Sequence, residues 1–179
     1  LPSNWYIFGM DDGLDGQIDS LQFQYFYKIC SKLNNSANVI ILNHHPNWVL
    51  DDYESGGSSH HTRSGRHRNG KRRKRAVMQK GLEYLMETVL KSKVKLRIAG
   101  DVHNYMRHAP STNFGDDNKH EMEGKEIPKP MLVISGGGGA FLHPTHCLGN
   151  ETLHNVAGTN HTSYDRVVCY PNEKISSSL

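Results

Sequence analysis

The sequence predicts an α/β fold organised on a parallel or mixed sheet, and three observations point that way. Asn38-Val39-Ile40-Ile41-Leu42-Asn43 is an uninterrupted apolar run bounded by asparagines, the pattern of a strand buried on both faces. Helical periodicity appears before and after it, over residues 20–32 and 75–91, with strand-like runs beyond each. Three strand-like runs end in residues that carry chemistry: Asn43-His44-His45-Pro46, Gly100-Asp101-Val102-His103 and Gly136-Gly137-Gly138-Gly139. Open α/β sheets place their sites at such strand ends.

Trp5-Tyr6-Ile7-Phe8-Gly9-Met10 is aromatic and β-prone, hence a strand. Asp11-Asp12-Gly13-Leu14-Asp15-Gly16 follows as a turn-rich loop that aims Asp11 near a site. Its acids lack the distal Glu of a calcium loop. Asp19 stands where an N-cap belongs, and Gln22 completes a capping box. Phe26, Ile29 and Leu33 give that helix its apolar stripe. Pro46 stops the strand at 38–43 and stiffens the histidine loop. Residues 55–70 are Ser, Gly, His and Arg apart from Thr62 and Asn69, without apolar period, a disordered surface insertion, so His60, His61 and His67 do not count as ligands. The helix over 75–91 brings Met78, Leu82, Leu85, Met86, Val89 and Leu90 to the core. Val94, Leu96 and Ile98 alternate with Lys95 and Arg97, a strand with one buried face, and Gly100 lets the backbone leave the ladder. Residues 109–130 read as a long loop and Met131-Leu132-Val133-Ile134-Ser135 as another buried strand. Val167-Val168-Cys169-Tyr170 forms a short last strand, and Ser176-Ser177-Ser178 a frayed or cut end.

At 179 residues and 36% hydrophobic content the chain suits one domain with a lean core. No apolar run approaches the ~20 residues of a membrane span. The chain opens Leu1-Pro2-Ser3-Asn4, with neither Met nor a signal-like pattern, and is expected to be a piece of something longer. Cys30, Cys147 and Cys169 form neither a disulfide framework nor a thiolate zinc site, and small buried thiols in a reducing compartment are expected. The net charge of +3 is unevenly spread. Arg63, Arg66, Arg68, Lys71, Arg72, Arg73, Lys74 and Arg75 are eight of the 21 basic residues, and the other 13 face all 18 acids, leaving −5 elsewhere. The chain is an acidic domain with one basic, low-complexity insertion over 55–75, unlike a nucleic-acid-binding surface spread over a whole domain.

Asp101 and His103 are read on an extended segment, where residues i and i+2 share a face, so a carboxylate and an imidazole converge as divalent-metal ligands. The alternative is a hydrogen-bonded Asp-x-His turn. His44 and His45 are adjacent, so only one points inward, and an ordinary loop pair is again the alternative. Glycines 136–139 expose backbone N–H groups to an anion, without the spacing of a dinucleotide fingerprint or a Walker loop. His143 and His146 line a site or simply order that loop.

Together, Asn43-His44-His45-Pro46-Asn47-Trp48, Gly100-Asp101-Val102-His103 and the run from Gly136 to His146 resemble the calcineurin-like metallophosphoesterases. The segments Trp5-Tyr6-Ile7-Phe8-Gly9-Met10-Asp11 and Leu14-Asp15-Gly16-Gln17-Ile18-Asp19 look like its large, partly membrane-associated members. The resemblance implies a sandwich of mixed β-sheets flanked by helices. It also implies hydrolysis of a phosphomonoester or phosphodiester at two divalent ions (Mn, Fe or Zn), bridged by a carboxylate and a water. His44 matches the late histidine that binds one ion, and His45 is the spacer beside it, at most a supporting group. Asp101 replaces the first histidine of the family's Gly-His-x-His, which binds that same ion, and His103 matches the second, which binds the other. Asp11, Gly137, Gly138, His143 and His146 are implied to line the site. The family's earlier Asp and His motifs are not in the sequence. The chain therefore resembles the C-terminal half of such a domain, with an incomplete two-metal centre. A competing expectation is a non-catalytic binding module with a degenerate metal site. Its basic stretch 63–75 would contact nucleic acid or acidic lipid.

Overall fold

A computed structural model describes residues 3–13, 18–50, 80–111, 128–137, 144–145, 151–160 and 162–178. Seven strands form one mixed sheet: β1 (Trp5–Met10), β2 (Asn38–Asn43), β3 (Val94–Ala99), β4 (Tyr105–Pro110), β5 (Met131–Ser135), β6 (Thr152–Val156) and β7 (Thr162–Tyr170). Their order across the sheet is β1-β2-β3-β5-β4-β7-β6. β1, β2, β3 and β5 run parallel, and β4, β7 and β6 continue antiparallel. The α/β class with a mixed sheet is therefore observed. The insertion at 55–75, the beginning of the helix read from residue 75, Gly138, His143, His146 and Cys147 lie outside the described residues.

The first helix, α1 (Ser20–Cys30), starts where the sequence places it. Asp19 Oδ1 accepts from the N–H of Gln22 at 2.8 Å. Gln22 makes a different contact from the one a capping box requires. Its amide brackets the backbone of Asp11, donating to the Asp11 carbonyl at 2.7 Å and accepting from the Asp11 N–H at 2.9 Å. The second helix, α2 (Lys80–Tyr84), continues into a π-helical stretch at Leu85–Leu90. Leu82, Leu85, Met86 and Leu90 are buried there, packed with Phe26 and Cys30 of α1 against Phe8, Met10, Val39 and Ile41 of the sheet. Burial pushes the Cys30 thiol up to about 11, so it stays protonated near neutrality.

Several strand readings are corrected by register. β2 is buried on one face only. Val39 and Ile41 are fully buried, while Leu42 is 36% exposed. In β3 the buried positions are Val94, Arg97 and Ala99, rather than Val94, Leu96 and Ile98. The cause is a bulge opposite β2. Val39 pairs with Val94 and Ile40 with Leu96, so Lys95 is the extra residue and every later side chain changes face. β4 and β6 emerge from stretches that carried no strand signal. In β4 the core face holds Met106 and a buried His108, so the apolar alternation is hidden by a polar residue. Of the C-terminal serines, Ser176 is packed, while Ser177 and Ser178 stay exposed. A short helix, α3 (Glu173–Ser176), is capped by Asn172, and buried Ser176 Oγ accepts from the Thr145 N–H.

A second core cluster, with Trp48, Val49, Val102, Met106, Leu132, Ile134, Leu153 and Tyr164, continues the first across the same face. The opposite face is also apolar. Ile7, Ile40, Leu42, Leu96, Ile98, Met131 and Val133 lie on it at half-buried or exposed positions, and none joins either cluster.

Two outcomes follow from this asymmetry and from His108. Ile41→Ala is expected to cost about 2–5 kcal/mol in chemical denaturation, and its neighbour Leu42→Ala under about 1 kcal/mol. Burial, reinforced by the Arg166 guanidinium, holds His108 down at about 4 against an ordinary 6.5. The unfolded chain therefore takes up this proton first. Stability contributed above pH 6.5 is lost as pH falls towards 4, by about 3 kcal/mol. His108→Gln should flatten that part of the stability–pH curve.

Candidate metal centre

The carboxyl ends of the parallel strands bring four loops together. β1 leads into Asp11-Asp12-Gly13, β2 into His44-His45-Pro46, β3 into Gly100-Asp101-Val102-His103 and β5 into Gly136. Backbone hydrogen bonds lace them. Gly100 N–H donates to the His44 carbonyl at 3.1 Å, and Gly136 N–H to the Asn104 carbonyl at 2.9 Å.

At this rim His44, His45 and Asp101 each offer a donor atom, all within 4.8 Å of one another. His45 Nδ1 lies 2.9 Å from Asp101 Oδ2, and His44 Nε2 lies 3.8 Å from Asp101 Oδ1. Donor atoms on a tetrahedral ion with bonds of ~2.0–2.1 Å sit ~3.3 Å apart, so this group, whose atoms lie within 4.8 Å of one another, would draw together to hold one. Two imidazoles and a carboxylate suit a divalent first-row ion. The donor set therefore fits a metal. The His44 ring is 48% exposed and His45 14%, so the group opens to solvent on the His44 side.

The adjacent histidines both face Asp101 because they have left the strand. β2 ends at Asn43, and the opposite-sides rule holds only for extended backbone. Nor is the backbone from Asp101 to His103 extended. Asp101 has φ of +54°, a conformation Asp tolerates better than most residues, and residues 101–104 bend. The N–H groups of Val102 and Asn104 each bond back two residues, at 2.6 and 2.7 Å, so i and i+2 no longer share a face. His103 lies in that bend, half-buried, outside the converging group. Strained backbone of this kind gathers at functional sites.

Asp11 is exposed and its carboxylate accepts from Gly13 N–H, an Asx turn. The buried acid is the next one, Asp12, whose oxygens accept from the backbone of His44 and His45 and from the Asn43 side chain. Asn43 also donates to the His45 carbonyl and accepts from Arg97 Nε. The Arg97 guanidinium carbon lies 4.6 Å from the centre of the Trp48 ring. None of this was visible as a motif. Asp-Asp-Gly signals only a turn, and Arg97 looked like the solvent side of a strand. Gly137 is exposed with open space where a side chain would begin, whereas Gly136 is the constrained glycine. A Cβ there would lie 2.0 Å from the Val102 carbonyl oxygen.

No family model matches the chain, and no curated protein matches it. Among solved structures it is similar to a purple acid phosphatase isolated from yellow lupin (Lupinus luteus) seeds, at 22% identity and a TM-score of 0.44. The likeness covers 78% of this chain and 22% of that one, so the chain spans about a fifth of that protein's length. The donor cluster and its strand-end setting, rather than this likeness, support a functional reading.

Because backbone, not a flexible side chain, occupies the space beside Gly136, Gly136→Ala must displace the 102–103 peptide. A loss of about 1–3 kcal/mol in thermal or chemical denaturation is expected, with shifted amide resonances at Asp101 and His103.

Proposed function

We propose that the chain contributes one side of a metallophosphoesterase centre, with His44, His45 and Asp101 holding one divalent ion. The observation that carries this is the convergence of those three donor atoms at the carboxyl ends of β2 and β3. A divalent ion there supplies Lewis acidity towards a phosphoryl oxygen. The two imidazoles, as neutral donors, leave the ion's charge undiminished, and Asp101 offsets one unit of it. The exposed His44 side leaves room for a phosphoester to approach. His103, in the adjacent bend and outside the group, is assigned to a neighbouring second ion, in keeping with the motif order that suggested the family.

The centre is read as incomplete, the rest being supplied by a further layer of the domain. The far face of the sheet supports this. Parallel strands are ordinarily covered on both sides, yet Ile7 is 47% exposed and Leu42 36% on that face. The alternative role for residues 63–75, contact with nucleic acid or acidic lipid, lies outside the described residues. Among those described, no helix is long and apolar enough to cross a membrane.

Calorimetric titration with Mn²⁺ and Zn²⁺ should show weak binding. His44→Ala or Asp101→Ala should weaken it about tenfold or more, while the exposed His154→Ala on β6 leaves it unchanged. Hydrolysis of p-nitrophenyl phosphate and of bis-p-nitrophenyl phosphate should be at or near background. Metal affinity indifferent to His44 and Asp101 would remove the assignment. Robust metal-dependent turnover by this chain alone would remove the incomplete centre.

A further inference from the structure

Asp12 is 1% exposed, although Asp11 beside it faces solvent. Its carboxylate is filled by donors from one loop. His44 N–H reaches Oδ1 at 2.8 Å, while His45 N–H and Asn43 Nδ2 reach Oδ2 at 3.0 and 2.8 Å. Two consecutive backbone N–H groups can meet one carboxylate only where the chain is not extended, since a strand points them to opposite edges. The backbone shape that Asp12 selects is thus the one that turns both imidazoles towards Asp101. Asp12 is itself held from both sides. The Gln22 amide brackets the Asp11 backbone, and Asn43 is fixed by Arg97.

We propose that Asp12 is the positioning residue of the metal cluster, setting the orientation of His44 and His45 through their backbone N–H groups. This rests on reading the cluster as a metal site, but the clamp can be observed without metal. A carboxylate is acceptor-only, whereas an amide at this position would turn one N–H₂ against donors. Asp12→Asn therefore opposes the clamp at nearly unchanged volume.

The experiment uses the whole chain, ¹⁵N-labelled at histidine, with Asp12→Asn beside wild type. In metal-free protein the variant should move the His45 ring ¹⁵N resonances towards those of a solvent-exposed imidazole. Its His44 and His45 amides should exchange at least about tenfold faster. Titration with Co²⁺ should show about 10–100-fold weaker affinity and an altered visible absorption spectrum. Leu153→Ala, buried in β6 away from the rim, serves as the control: it should lower Tm yet leave ring resonances and Co²⁺ spectrum as in wild type. Should Asp12→Asn not fold, Gln22→Ala on the first turn of α1 frees the Asp11 backbone and should give the same shifts in smaller measure.

Wild-type ring resonances and Co²⁺ spectrum in Asp12→Asn, or in Gln22→Ala where that variant stands in, would overturn the clamp. A wild-type chain that binds no Co²⁺, but whose His45 resonances still move on substitution, would support the clamp and remove the metal reading instead.

Discussion

The carboxylate of Asp12, accepting the N–H groups of His44 and His45, is the interaction on which the rest of the rim depends. A buried carboxylate is costly unless it is fully hydrogen-bonded. The structure meets that cost with donors from a loop more than thirty residues away in the chain. The bond joins the end of β1 to the end of β2. Gly100 joins β2 to β3, and Gly136 joins the β3–β4 bend to β5. The described parts of four loops thereby meet on one surface. The sheet supplies only the parallel strand directions that bring those loops to the same edge.

That surface explains why the donor atoms gather where they do. Parallel strands aim successive carboxyl ends the same way, so residues remote in sequence meet without a dedicated binding element. Here they deliver two imidazoles and a carboxylate to one point. Arg97 links the rim to the core: its Nε donates to Asn43, and its guanidinium lies over Trp48, a member of the second apolar cluster. Position and orientation are thus set by different parts of the molecule: the sheet provides the first, and the Asp12 network the second.

Much of the scaffold was legible in the sequence because apolar runs report burial directly. β1, β2 and β5 match their runs at 5–10, 38–43 and 131–135, and Asp19 caps α1 at the position its side-chain chemistry indicates. What escaped depends on tertiary partners. The bulge at Lys95 reverses the facing of β3, and no local pattern announces it. His108 occupies a core position in β4 that periodicity would assign to an aliphatic residue. At the rim, spacing paired Asp101 with His103 and the family resemblance chose His44 over His45, and both readings rested on extended backbone at 43–45 and 101–103. Both segments bend, which turns His45 inward and leaves His103 outside the group. Asp12 was passed over for Asp11 because the two differ only in which one the fold buries.

X-ray absorption at the zinc edge, on the chain loaded with one equivalent of Zn²⁺, tests the central claim most directly. If these loops form a metal site, the first shell contains two imidazole nitrogens and a carboxylate oxygen at ~2.0–2.1 Å, with the outer-shell scattering of two histidine rings. A shell of oxygens alone, or one that keeps both imidazole signals in His44→Ala, would mean that the ion binds elsewhere.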